Sequence, residues 1–268
     1  MANCRICGKR LPLFYRDTVC RECRAKLQLE LADITRYALT NKDITNEQIG
    51  KLKNQDRTDI IKLYNSLFQH FSSDKEVDAQ EITTLQKLQN GLFLSDAEVK
   101  FDEQLKPYIY IQAIRNKTLP EVELKNAQGI VFKKDEKVHF VDGAILKETK
   151  SVSIGYSGGS QGVSIRIASG VYYRVGGTRG HIMREDRLTE TSRGIFVITN
   201  QRAMLNPTSI GSKSLDIPLS KIFSYSCYEN GVEIYKEGHE KGYFLEFLNK
   251  SSAEIVGMLL GFLTSRQS

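Results

Sequence analysis

The sequence predicts an α+β chain of several small domains: a four-cysteine metal ribbon, a helical bundle, and an antiparallel β-barrel closed by a C-terminal helix. Three observations lead there. Two Cys-x-x-Cys pairs open the chain, helical spacing runs from about residue 22 to 106, and period-two alternation takes over after Pro107. At 268 residues the chain has room for two or three cores. The predicted division is ribbon 1–27, helical bundle 28–111, linker 112–126 and barrel with terminal helix 127–268.

The ribbon rests on NCRICGKRLPLFYRDTVCRECRAKL. Cys4 and Cys7 form one pair and Cys20 and Cys23 the other, with twelve residues between them, so the metal ligands are these four sulfurs. Four thiolates complete a tetrahedral zinc shell and leave no open position for water, which makes the expected ion structural rather than catalytic. Gly8 suits the left-handed turn such a knuckle requires. A redox pair is the weaker reading, because no βαβ pattern surrounds either motif. Paired cysteines and an N-terminus lacking an apolar signal stretch point to a reducing cytoplasm. Cys227, alone in IFSYSCYE, reads as a small buried hydrophobe.

The net charge of +6 hints at an anionic partner. Residues 1–27 hold seven Lys/Arg and two Asp/Glu, a formal +5. Four thiolates and one divalent ion would reduce that to about +3. The nucleic-acid alternative therefore ranks second. It would use Arg5, Lys9, Arg10, Arg16, Arg21 and Arg24 on phosphates, with Phe14 or Tyr15 stacking on a base.

In the helical middle, Leu27, Leu31, Ile34 and Ala38 form one core-facing stripe, and Ile60, Ile61, Tyr64, Leu67, Phe68 and Phe71 another. Thr45/Gln48, Asp78/Glu81 and Ser95/Glu98 have capping-box spacing, giving four or five short helices. A calcium loop at Asp74, Glu76 and Asp78 is disfavoured: Ala79 stands where the loop needs glycine, and Leu85 where it needs glutamate. The stretch SSDKEVDAQEITTLQKLQNGLFLS resembles acidic turn-plus-helix segments of TerB-like helical modules.

After Pro107, short alternating runs are bounded by turn residues: GIVFK, KVHFV, VSIRI, VYYRV, GIFVIT, KSLDIP, KIFSYS, GVEIY and GYFLEFL. Ser251/Glu254 marks a capping box before the apolar segment EIVGMLLGFLTS. Gly257 and Gly261, four apart, suit close packing of that helix, which is too short to span a bilayer. GYSGGSQG and GGTRG lack the ending of a phosphate-binding loop and read as hairpin loops.

GIFVITNQRAML, SLDIPLSKIFSYSCYENGVEIYKEG and YFLEFL before a closing helix resemble the pleckstrin-homology and GRAM-like superfamily. EKVHF, SIRIASGVYYRVGG and TNQR extend the resemblance to uncharacterised bacterial proteins with a four-cysteine ribbon, a helical module and a PH/GRAM-like domain. The resemblance implies an interaction module that docks a protein partner or an anionic membrane surface. Candidate binding cations near strand ends are Arg166, Arg174, Arg179, Arg202 and Lys213, whose alternative role is as solvated strand faces. His70, His139, His181 and His239 are scattered, with no nucleophile-elbow motif, so the expected function is non-enzymatic. His139 falls on the strand face opposite Val138 and Phe140.

Overall fold

The computed structural model describes residues 2–12, 15, 17–124, 129–149, 163–168, 171–175 and 188–265; the side chains of 149, 163–168, 171–175 and 188 are outside the description. The chain divides into two compact units, Met1–Tyr108 and Ile109–Ser268.

The first unit combines the cysteine-bearing segment with helices α1 (Arg21–Asn41), α2 (Asn46–Leu52), α3 (Arg57–Phe71) and α4 (Ala79–Gly91). The ribbon does not end at residue 27 as a separate domain. Cys20 is the N-cap of α1, and Cys23 lies in its first turn. Leu27, Ile34 and Ala38 then carry the same helix into the core, where Ile60, Leu63, Tyr64, Leu67 and Phe71 of α3 are buried. Of the expected stripes, Leu31, Ile61 and Phe68 are half-buried at the flanks.

Two expected capping boxes form. Thr45 and Gln48 bond reciprocally at the start of α2, as do Asp78 and Glu81 at the start of α4. Asp78 thereby accepts the amides of Gln80 and Glu81 and also pairs with Lys42, which leaves it committed to the helix rather than to a calcium loop. Ser95 and Glu98 make the reciprocal bonds too, yet turns follow instead of a helix. Lys100 has φ 48°, a left-handed conformation that interrupts helical propagation.

Helix α5 (Leu105–Arg115) begins before Pro107 and continues past it. Proline in a first turn removes only an amide that has no intrahelical partner, so the residues directly after Pro107 are helical, where period-two alternation was expected to take over.

In the second unit, the expected linker is partly structural. Val122 donates its amide to the carbonyl of Val138 at 2.9 Å, and Val122 and Leu124 pack on Val138, Val197 and Met204. The strands are β1 (Val138–Thr149), β2 (Val163–Ala168), β3 (Val171–Val175), β4 (Leu188–Thr199), β5 (Arg202–Pro207), β6 (Leu215–Pro218), β7 (Ile222–Tyr228), β8 (Gly231–Lys236) and β9 (Tyr243–Phe247), followed by α6 (Lys250–Thr264). GIVFK forms no strand.

Seven strands form one antiparallel sheet in the order β6-β5-β4-β1-β9-β8-β7, and β2-β3 form a separate hairpin. Among the described residues this sheet is open, with β6 and β7 at its edges, where a closed barrel was expected. Pro218 ends β6 without a ladder donor, and a single 3-10 turn, Leu219–Lys221, leads into β7.

Long β1 joins the two halves by pairing with both β4 and β9. Behind it, Phe140, Phe196 and Phe247 form an aromatic core with ring centroids 5.6 and 6.4 Å apart in edge-on contact. Helix α6 is apolar on nearly all sides and packs on β7, β8 and β9. Its N-cap is Asn249, which accepts the Ser251 amide, so the helix starts earlier than the Ser251 box suggested.

Candidate metal centre

Each cysteine pair sits where local backbone geometry turns it toward the other. At the first knuckle, the Gly8 amide donates to the Cys4 carbonyl at 2.9 Å, and the Cys4 amide to the Lys9 carbonyl at 2.8 Å. Gly8 has φ 72°, which a side-chain-bearing residue rarely adopts. An isolated antiparallel bridge between Asn3 and Arg10 closes this hairpin. The second knuckle is stiffened by the start of α1, whose Arg24 amide bonds the Cys20 carbonyl. The Arg5 amide reaches across to the Thr18 carbonyl at 2.9 Å, fixing one knuckle against the other.

The four sulfurs lie within 4.8 Å of one another, and those of Cys7 and Cys20 are 3.8 Å apart. A tetrahedral ion with bonds of about 2.3 Å to sulfur requires sulfur–sulfur edges of about 3.8 Å, whereas a disulfide needs about 2.05 Å. All four are free thiols, so the spacing fits a shared ion and not a pair of covalent bridges. Cys4 and Cys23 are buried with Leu11, Val19 and Leu27, while Cys7 is exposed and Cys20 half-buried. This small apolar wall shields one side of the cluster.

The sulfurs differ electrostatically. The Cys20 amide, 3.3 Å from the Cys4 sulfur, pulls that thiol down to about 6. Hydrogen bonding with Cys7 and Cys20 pushes Cys23 up to about 12. A divalent cation in their midst would hold all four as thiolates and release the protons they carry as thiols.

Three of the basic residues around the site are engaged by carboxylates. Arg5 pairs with Asp56 at 2.8 Å, Lys9 with Glu22 at 3.3 Å, and Arg24 with both Asp17 and Asp56. Arg10 and Arg21 are exposed, while Arg16 and Phe14 fall outside the described residues. Asp56 carried no sequence signal as a partner of the ribbon, being 51 positions from Arg5.

Of the five proposed binding cations of the second unit, the side chains of Arg202 and Lys213 are described. Arg166 pairs with Tyr172 and Arg174 with Ser164 in the hairpin register, their side chains outside the description, as is all of Arg179. Arg202 stands at a strand end, as the first residue of β5, but it is buried and paired rather than an available binding cation. It is only 8% exposed, and its guanidinium bonds Glu136, Asp216 and the Val131 carbonyl. Lys213 pairs with Glu148 and lies 5.7 Å from the centre of the Tyr243 ring. It lines an open groove of about 490 Å³ with Thr189, Thr191, His239 and Tyr243.

His139 is buried, with Nδ1 2.9 Å from the Pro120 carbonyl, and occupies an irregularity in β1 that breaks the expected alternation. His70 is exposed at the end of α3, and His181 is outside the described residues.

Fold and site together define a chain in which a four-cysteine cluster able to hold a metal ion is built into a helical unit and followed by an antiparallel sheet unit. No family model matches the chain, and no curated protein matches it. Among solved structures, the complex of PDZ-RhoGEF DH/PH domains with GTP-gamma-S-activated RhoA matches with 8% identity. The match covers 93% of this chain and 71% of that chain, with a TM-score of 0.28. No helix among the described residues is long and apolar enough to cross a membrane.

Proposed function

We propose that the protein is a non-enzymatic, intracellular zinc-binding adaptor: the ion holds the N-terminal ribbon, and the C-terminal unit is a PH/GRAM-like module that docks a protein partner. The observation that carries the metal half is the 3.8 Å separation of the Cys7 and Cys20 sulfurs inside a cluster of four. Thiolate softness and a closed four-ligand shell favour zinc in a structural role. The docking half is supported by the sequence resemblance and by strand meanders that end in a helix packed on the sheet.

The nucleic-acid alternative loses support because Arg5, Lys9 and Arg24 are engaged by carboxylates of the same chain. A docked anionic membrane surface loses support likewise, since Arg202 is internal and Lys213 is paired.

Elemental analysis of the purified full chain tests the first half, with one zinc per chain expected. For the second, the zinc-loaded chain is cross-linked in native lysate and compared with its binding to phosphatidylserine vesicles and to oligonucleotides at two salt concentrations. A reproducible, saturable protein complex without vesicle or oligonucleotide binding supports the reading. Salt-sensitive oligonucleotide binding alone would replace it.

A further inference from the structure

The two arginines that follow the outer cysteines of the cluster converge on one carboxylate. Arg5 comes directly after Cys4, and Arg24 directly after Cys23. Nη2 of Arg5 donates to Oδ1 of Asp56 at 2.8 Å, and Nη1 of Arg24 donates to Oδ2. The other amino group of Arg24 holds Asp17, in the loop between the cysteine pairs.

Asp56 occupies the N-cap position of α3, but its carboxylate caps no amide of that helix. The carboxylate is directed at the ribbon instead. Beside it, Nε2 of Gln55 donates to the Leu27 carbonyl of α1 in a buried bond of 2.6 Å. The start of α3 is therefore tied to both cysteine knuckles and to the helix that leaves the second one.

An ion shared by Cys4 and Cys23 would fix the separation of Arg5 from Arg24, because each arginine is one residue from a ligand. At the separation the structure shows, the carboxylate accepts both guanidiniums, one on each oxygen. We infer that Asp56 couples metal occupancy of the cysteine cluster to the folding of the helical unit: metal binding sets the two arginines to hold α3, and α3 so held raises the affinity for metal. This rests on the reading of the four thiols as a metal site. Linkage requires the coupling to be reciprocal, so it can be measured from either end.

The experiment uses the full chain, with zinc as the probe. Zinc affinity is measured by competition with a chromophoric chelator, and the helical thermal transition is followed with and without zinc. Asp56→Asn is expected to weaken zinc binding by about 5-fold or more, the lower range of coupling between sites. It should also lower the transition of the zinc-loaded chain more than that of the zinc-free chain. Arg36→Gln, which removes an exposed pair with Asp33 within α1, should change neither.

Stoichiometric zinc binding at unchanged affinity, with equal destabilisation of the loaded and free chains, would overturn the coupling and leave the metal site standing. A wild-type chain that binds no zinc would overturn both. If Asp56→Asn does not fold, Arg5→Gln removes one arm only, and the same pair of measurements decides by the same criterion with a smaller expected change.

Discussion

Arg202 and Glu136, 66 positions apart, meet in a two-point ion pair, with Nε 2.8 Å from Oε1 and Nη2 3.1 Å from Oε2. The pair fastens the β4–β5 turn to the loop that precedes β1. Thr199 donates to the same carboxylate, the Asn200 side chain bonds Lys137 and Asp135, and that of Gln201 bonds the Lys134 carbonyl. TNQR is thus a clamp as well as a turn. Removing one member of such a pair strands a buried charge, so Arg202→Met is expected to cost about 3 kcal/mol in urea unfolding of the full chain. A loss under about 1 kcal/mol would mean the pair is replaceable by water or apolar packing.

Metal removal should act unevenly on the two units. In finger-like segments metal binding supplies folding free energy on the order of 10 kcal/mol, and among the described residues the apolar cluster of the ribbon buries, besides two cysteines, only Leu11, Val19 and Leu27. Cys20→Ser, or a strong chelator, is therefore expected to abolish amide protection in residues 2–27 while β1, β4 and β9 stay protected. Hydrogen exchange read by mass spectrometry checks this. Uniform loss of protection along the chain would contradict it.

Acid sensitivity should arise in part at Glu98. The Arg57 guanidinium, with help from the Ser95 amide and hydroxyl, holds the Glu98 carboxyl at about 2, below its ordinary 4.5. A depressed folded value means that the contribution is fully present above about 4.5 and is lost as pH falls toward about 2. Glu98→Gln should flatten the decline of stability across that window in chemical denaturation series. An unchanged slope would show that the pair is not felt in the folding equilibrium.

Gly257 has a packing role that can be tested by adding one methyl. A Cβ there would lie 2.4 Å from the sulfur of Cys227, too close for both to keep their positions. Cys227 is exposed overall at the edge strand, yet its thiol is turned under α6, where burial raises it to about 11. Gly257→Ala should destabilise by about 1–3 kcal/mol, the usual cost of overpacking, and Cys227→Ala in the same chain should recover part of it. The wild-type thiol should also react slowly with disulfide reagents at neutral pH. Additive effects of the two substitutions would argue against the contact.

Local signals decided much of this protein before any tertiary contact was considered. Four cysteines in paired spacing named the metal cluster, because both members of each pair are fixed by one short turn. Helix starts at Thr45 and Asp78 were legible since a capping box closes within four residues, and most strands were legible because alternation repeats every second residue. The switch to alternation was placed too early, after Pro107, because a proline at a boundary and a proline in a first helical turn look alike without knowledge of where the helix begins. The sequence alone thus determined the cluster, the helical stripes and the β-rich half. Tertiary structure decided which charges are spent inside: Asp56 between Arg5 and Arg24, and Glu136 against Arg202, are pairings across 51, 32 and 66 positions. A charge in a sequence shows only its sign. Whether it faces solvent or a partner depends on which distant segment packs beside it, and that is set by burial of the core.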